Sequence, residues 1–361
     1  MARILYAVAD EGRGHAVRSR DIIEELQRHH DVVVMCGERS FPYLSSYARH
    51  IYKIAGTYIS YVNNQVSNIG TVLGNLLRVP RYISSFVQLW KFSRQFKPDV
   101  IITDFEPLSA YLGLVTHIPV ISLGNHHVIT KTKHSFPLRY YFEYLKTKLV
   151  IKLITPTARF YVVTTFFTPA LRSDKVFLVP PILRKEIASL PCTYGNFVLV
   201  YQTSRSNKKL FKFLARMPYR FVVYGLGEGV PLWLKHPSNL VFKPFSEATF
   251  FDDLANCAGV ITNGGFTLMT EALFLKKPLL SIPVQKQFEQ ILNAYYLERL
   301  GKGVVTKDKK NILQFLEGLQ FNTQQLHRGK GYDGNTKVME TLERLIDNVA
   351  GEKLLVSKLL Q

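Results

Sequence analysis

The segment Ile261-Thr262-Asn263-Gly264-Gly265-Phe266 runs an apolar stretch into paired glycines that open the next helix. Gly264 and Gly265 let the backbone come close to a ligand, and the first N–H groups of the helix then face an anion such as a pyrophosphate. Glu271, about two turns into that helix, can accept two hydrogen bonds from ribose hydroxyls. A tight strand–helix turn with a solvated acid would carry the same residues. The continuation favours a ligand: the strand Leu279–Ile282 feeds a loop holding Gln285, Gln287, Glu289 and Gln290, with Asn293 beyond. Such amide and carboxylate groups make directional hydrogen bonds to hydroxyls without a metal ion.

A base stands elsewhere. His15 lies in Asp10-Glu11-Gly12-Arg13-Gly14-His15-Ala16, just after the apolar run Ile4–Ala9. Asp104 follows the strand Asp99–Thr103 and can orient an imidazole and stabilise its protonated form, or it can cap the helix that Glu106-Pro107 begins. His126 and His127, after the strand Ile118–Leu123, are alternative bases, acceptor contacts or surface residues. A dinucleotide fingerprint at Gly12-Arg13-Gly14 lacks its third glycine, because Val17 stands there, although Glu38 follows the next strand as a ribose-binding acid would. No Asp-X-Asp pair suggests a metal-bridged diphosphate; Asp252-Asp253 are adjacent and read as the start of a helix.

The elements that must position these groups alternate. Ile4–Ala9, Asp31–Cys36, Asp99–Thr103, Ile118–Leu123, Phe160–Thr164 and Lys175–Val179 read as strands, and Val17–His29 as an amphipathic helix. The pattern restarts with Phe197–Tyr201, Phe221–Tyr224, Leu240–Phe242, Gly259–Thr262 and Leu279–Ile282. Strands separated by helices imply parallel sheets covered on both faces. The fold class expected is α/β, two Rossmann-like domains in tandem: residues 1–185, residues 186–335, and a C-terminal helix over 336–361 that packs back on the first domain. Ligands of such sheets sit beyond the carboxyl ends of the strands, so two facing domains would hold theirs in the cleft between them.

Taken together, Gly259 to Gly301 resembles the donor-binding signature of GT-B glycosyltransferases. The nearest likenesses are the UDP-glucuronosyltransferases and the bacterial family that adds GlcNAc to the lipid-linked peptidoglycan precursor. The resemblance implies a UDP-sugar donor, with Glu271 on the ribose, Gly264 and Gly265 on the phosphates, and Glu289 with Gln290, or Gln287, on the sugar. It implies that Arg184, in Val179-Pro180-Pro181-Ile182-Leu183-Arg184, contacts the diphosphate, where a surface arginine of a linker reads equally well. Thr203 stands at a phosphate-binding position, although the family's glycine-rich loop is replaced by Gln202-Thr203-Ser204-Arg205-Ser206, which makes Arg205 a further candidate. Phe245 and Ser246 fall where the uracil is held, Phe245 being otherwise a core aromatic. In the first domain the resemblance places the acceptor at Gly14, Glu106, His126 and His127, and implies an inverting transfer with His15 as general base and Asp104 behind it. No cofactor and no metal are implied. A UDP-sugar epimerase of the same fold is the rival enzyme.

Composition bounds the setting. Lys and Arg number 46 against 27 Asp and Glu, a formal charge of +19, which calls for an anionic partner or for solubility alone. Nucleic acid is not expected, since no helix-turn-helix, RRM or KH signature is present. Basic and aromatic residues interleave over Leu73–Phe96 and Lys131–Lys152, as suits helices lying on an anionic membrane surface or, equally, core-packed helices with solvated basic faces. The three cysteines, Cys36, Cys192 and Cys257, are too scattered for a disulfide framework or a zinc site and suit a reducing compartment. No apolar run is long enough to span a bilayer. The expected location is cytoplasmic, with attachment to the inner face of the membrane as the extension.

Overall fold

The computed structural model describes the chain apart from residues 11–12, 59, 63–64, 203–206, 227–230, 232, 235–236, 322–333 and 360–361. Strands β1 (Arg3–Val8), β2 (Asp31–Cys36), β3 (His50–Lys53), β4 (Tyr61–Val62), β5 (Gln65–Val66), β6 (Val100–Asp104), β7 (Val120–Leu123), β8 (Phe160–Thr164) and β9 (Val176–Val179) occupy the first half. β10 (Phe197–Tyr201), β11 (Arg220–Tyr224), β12 (Leu240–Phe242), β13 (Gly259–Thr262), β14 (Leu279–Ser281) and β15 (Val304–Val305) follow. Among the described residues they form a parallel sheet ordered β3-β2-β1-β6-β7-β8-β9 and a second, also parallel, ordered β12-β11-β10-β13-β14-β15; β4 and β5 pair antiparallel by themselves. Two α/β units result. One comprises residues 1–60, 67–184 and 333–361; the other comprises residues 61–66 and 185–332.

Central strands are apolar on both faces because helices cover both. β1 reads Arg-Ile-Leu-Tyr-Ala-Val with everything after Arg3 buried, and β6 is buried throughout. β3 is the exception: His50, Tyr52 and Lys53 are exposed, so this edge strand carries no apolar run and is invisible to a hydrophobicity pattern.

In each sheet the strand order reverses once, between β1 and β6 and between β10 and β13. Parallel register sets Val8 beside Asp104 at the first reversal and Tyr201 beside Thr262 at the second. Ligand-binding residues of open α/β sheets collect beyond such points. Residues 9–10, 13–15 and 104–106 are thus neighbours in one unit, and Gln202 and residues 263–265 in the other.

Several boundaries differ from expectation. The first helix spans Arg13–His29, so His15 lies in its first turn rather than in a loop ahead of it. The stretch 73–96 divides into helices Asn68–Leu76 and Val79–Phe96, the second starting with Pro80 in its first turn, where a missing N–H costs nothing. Asp252 and Asp253 sit inside the helix Glu247–Asn256 and do not begin it. The C-terminal helix spans Gly334–Leu359; Val338, Leu342, Leu345, Ile346 and Val349 enter the core of the first unit beside Ile4, Val34 and Val162.

Candidate functional site

In the first unit the C-terminal end of β6 delivers Asp104, fully buried, to the first turn of helix Arg13–His29. His15 Nδ1 lies 2.8 Å from Asp104 Oδ1. Arg18, one turn on and itself buried, donates from Nε to Asp104 Oδ2 at 2.9 Å, contacts Oδ1 through Nη2, and brings that Nη2 within 2.7 Å of His15 Nδ1. The Ser19 hydroxyl donates to Asp104 Oδ2 at 3.0 Å and receives the Tyr6 hydroxyl at 3.3 Å. Burial by itself pushes the Asp104 carboxyl up. The Arg18 guanidinium, and after it His15, outweigh that and hold it well below the usual carboxylate range. Asp104 is therefore held in its carboxylate form by these partners, and the helix cap it might have formed belongs to Glu106. Both Glu106 oxygens accept backbone N–H groups, from Leu108 at 2.9 Å and Ser109 at 2.7 Å. Glu106 is thus committed to the cap, and its burial raises its pKa.

Phe105 joins the two sides of this cluster. Its backbone is left-handed, with φ of 60°, and its ring stacks with His15 at 6.0 Å and lies tilted against His126 at 4.0 Å. His126 and His127 are buried rather than surface residues. His127 Nε2 meets Ser122 Oγ at 2.7 Å, and burial, helped by Lys131, pushes its pKa down to about 3. Neither ring nitrogen of His126 makes a hydrogen bond, and burial, then His127, keeps this ring neutral. A neutral buried imidazole with both nitrogens unsatisfied is ready to meet a hydroxyl. Gly14 precedes His15 in the same turn, half-buried. Asp10 does other work: its Oδ1 accepts the Arg39 and Ser40 N–H groups at 2.9 Å each. Its side chain also fills the space beside Gly37 and Gly56, where added Cβ atoms would collide with it. Glu38 is exposed.

In the second unit β13 ends at Thr262, and the chain turns through Asn263, Gly264 and Gly265 into the helix Phe266–Phe274. Gly265 is the cap residue and, having no side chain, offers no cap of its own to the positive end of this helix. Gly264 is wedged against the next helix, Phe288–Arg299: a Cβ there would lie 2.4 Å from the Gln290 carbonyl oxygen. Gln290 Oε1 accepts from Gly264 N at 3.1 Å and from Val284 N at 3.0 Å, and Asn293 Nδ2 donates to Gly264 O at 3.1 Å. The two helix N-termini are thereby stitched side by side. Gln287 stands at the cap of the second helix, its carbonyl accepting from Ile291 N at 3.1 Å and its side chain making no cap bond, and Glu289 lies in its first turn, half-buried. Glu271 is buried, not a solvated acid.

The remaining predicted positions differ in kind. Arg184 is buried, not on a linker surface. Phe245 packs on Phe250 at 5.2 Å and edge-on to Tyr224 at 6.5 Å, a half-buried member of an aromatic cluster. Ser246 is exposed and opens helix Glu247–Asn256. Thr203 and Arg205 lie outside the described residues. Among the described residues no group of three or more His, Cys, Asp and Glu side chains is placed to hold a metal ion. Sequence reading missed two residues. Arg18 is the i+3 neighbour of His15 on one helix face, a spacing that by itself does not mark an arginine as buried against a carboxylate. Gln202, at the end of β10, is buried with its amide nitrogen unpartnered at the strand-order reversal.

Against this geometry stand the comparisons with known proteins. The sequence model described as glycosyl transferase family 1 matches residues 2–320. The UDP-N-acetylglucosamine–N-acetylmuramyl-(pentapeptide) pyrophosphoryl-undecaprenol N-acetylglucosamine transferase 1 of Bacillus thuringiensis (strain Al Hakam) is 34% identical over 94 residues, 24% of this chain. The match spans only 27% of that relative's length. The fold is similar to that of a UDP-glucosyltransferase from Polygonum tinctorium, with a TM-score of 0.62, 14% identity, and coverage of 97% of this chain and 94% of that one. MurG of Acinetobacter baumannii gives a TM-score of 0.57 at 14% identity, covering 97% of this chain and 99% of that one. At such identities the likeness shows the GT-B fold alone.

Proposed function

The chain belongs to glycosyl transferase family 1, and on that premise we propose that it moves a hexose or N-acetylhexosamine from a UDP-sugar to a hydroxyl of a lipid-linked or glycan acceptor. The transfer inverts the anomeric centre, needs no metal, and uses His15 as general base. One observation carries the reading: a partly buried imidazole, its side chain 18% exposed, whose Nδ1 lies 2.8 Å from a buried carboxylate, at the strand-order reversal of the first sheet.

With Nδ1–H donated to Asp104, Nε2 of His15 keeps a lone pair. It takes the acceptor's proton as the acceptor oxygen attacks the anomeric carbon. The bond from that carbon to the β-phosphate oxygen breaks, and the electron pair leaves with UDP. The N–H groups at the start of Phe266–Phe274, beside Gly264 and Gly265, are fixed dipoles suited to the developing phosphate charge. Glu271 takes the ribose; Gln287, Glu289 and the amide nitrogen of Gln290 take the sugar; Phe245 and Ser246 border the uracil; Arg184 and Thr203 approach the diphosphate. Residues 1–185 hold the acceptor, with Gly14, His126 and His127 against it, and residues 186–335 hold the donor.

The test is a screen of UDP-, GDP- and dTDP-sugars for nucleotide release and for a glycosylated product. UDP release with product, lost in His15→Ala and weakened at the binding step in Glu271→Ala, supports the reading. An isomerised UDP-sugar without transfer would make the chain an epimerase, and near wild-type turnover of His15→Ala at saturating substrate would remove the base.

A second reading concerns place. No described helix is long and apolar enough to cross a membrane. Yet Ile69, Leu73, Leu76 and Leu77 near one helix pair, and Leu138 just before the helix Tyr141–Ile154 with Phe142, Leu149 and Leu153 along it, are exposed among basic residues rather than packed. That exposure supports attachment to an anionic membrane face from the cytoplasmic side.

A further inference from the structure

The face of His15 opposite its proposed working nitrogen is shared by two groups of opposite charge. Nδ1 lies 2.8 Å from Asp104 Oδ1 and 2.7 Å from Arg18 Nη2. One nitrogen cannot donate to the carboxylate and accept from the guanidinium at once. In one tautomer Nδ1–H donates to Asp104 and Nε2 is free to accept a proton. In the other, Arg18 donates to Nδ1 and Nε2 carries the hydrogen. Arg18 also grips both Asp104 oxygens, through Nε at 2.9 Å and through Nη2, and its Nη1 reaches Asn125 Oδ1 at 3.4 Å. Both partners are buried, so water does little to screen their charges.

We propose that Arg18 is a positioning residue of the site: it neutralises Asp104 and shares the Nδ1 edge of His15, so the proposed base is backed by a neutral carboxylate–guanidinium pair and not by a bare carboxylate. The inference rests on His15 being the base. A bare carboxylate would favour the charged ring, whereas the pair orients the ring while leaving Nε2 able to take a proton. The other titratable groups packed around His15 among the described residues fit this. His126, from the loop after β7, is kept neutral by burial, and Tyr6 stands behind Ser19 with its phenol pushed up by burial. Neither supplies a compensating charge. Arg18 thus sets the electrostatics of the site from a position that need not touch substrate.

A charge cycle on the full-length chain tests this, read as the acidic limb of the kcat/KM–pH profile and as the pH at which the His15 ring NMR signals shift. Arg18→Met leaves a bare carboxylate, and both readouts move up by about one pH unit or more. Asp104→Asn leaves a bare guanidinium, and both move down. The double variant removes both charges and returns near the wild type. Arg18→Lys keeps the charge without the fork, so the limb stays while kcat falls. Arg18 as packing alone would lower activity in every variant with both readouts unmoved, and that result overturns the proposal. Should Arg18→Met not fold, the double variant against Asp104→Asn gives the same comparison, and equal limbs in that pair overturn it. NMR separates the two readings: opposite shifts with His15→Ala still active would remove the base and keep the electrostatics of Arg18.

Discussion

His127 is charged in the unfolded chain at mildly acidic pH and neutral in the fold, because its ring is buried against Ser122 and Tyr161. The folded pKa of about 3 lies below the ordinary histidine value, so the unfolded state binds the proton first. Its contribution to stability is complete above about pH 6.5 and is lost as pH falls toward the folded value, by roughly 1.4 kcal/mol per pH unit for one proton. Chemical unfolding between pH 7 and 5 should therefore show a shallower acid slope for His127→Gln than for the wild type. The paired glycines divide just as sharply. A Cβ on Gly264 would meet the Gln290 backbone at 2.4 Å, while one on Gly265 meets nothing within 4 Å. Gly264→Ala should cost about 1–3 kcal/mol of stability and weaken UDP binding about tenfold, and Gly265→Ala should leave the melting temperature unchanged. Calorimetry on both variants with UDP titration checks this. The pairing of His15 with Asp104 was legible because both follow apolar strands that register side by side. Arg18 was not singled out, since a helix arginine buries its charge only if a carboxylate arrives from another strand, which spacing does not announce.

Elements were legible wherever a strand is covered on both faces. β2, β8, β10 and β13 have the bounds expected of them, because burial and hydrophobicity coincide there. β3 and β15 were missed as edge strands whose residues are largely exposed or half-buried. The first helix was placed four residues late, since Arg13 and Gly14 carry no helix signal. The C-terminal helix shows what its apolar periodicity is for. Val338, Leu342, Leu345, Ile346 and Val349 complete the core of the first unit. Asn335 fastens the helix by accepting from Leu183 N at 2.9 Å and donating to Leu183 O at 2.6 Å. Leu342→Ala should cost about 2–5 kcal/mol, since its site is closed on all sides. Hydrogen exchange would place that loss in β1, β6 and β8 and leave β10 and β13 protected as before. Equal loss in both sheets would show instead that the two units unfold together.

Across the whole molecule the charge of +19 and the exposed apolar residues belong to one physical problem. Large apolar groups at Leu77, 84% exposed, Leu138, 86%, and Phe142, 75%, cost free energy in water unless something covers them. Lys146, Lys148 and Lys152 share the helix of Phe142, and Arg78 and Arg81 follow Leu77, so a cover that is apolar within and anionic at its surface satisfies both demands. An anionic bilayer has that profile: each basic residue near its surface contributes about 1 kcal/mol, and the attraction falls off within a Debye length. The expected outcome is flotation with vesicles containing phosphatidylglycerol or phosphatidylserine and none with neutral vesicles, with binding reduced as salt is raised. Leu138→Ser with Phe142→Ser and Leu149→Ser should abolish flotation yet hold the melting temperature, because these side chains pack against little in the fold. A triple variant that still floats would assign the binding to charge alone. A variant that melts early would mean the residues are part of the core after all, and the basic helices would then be a solvated surface.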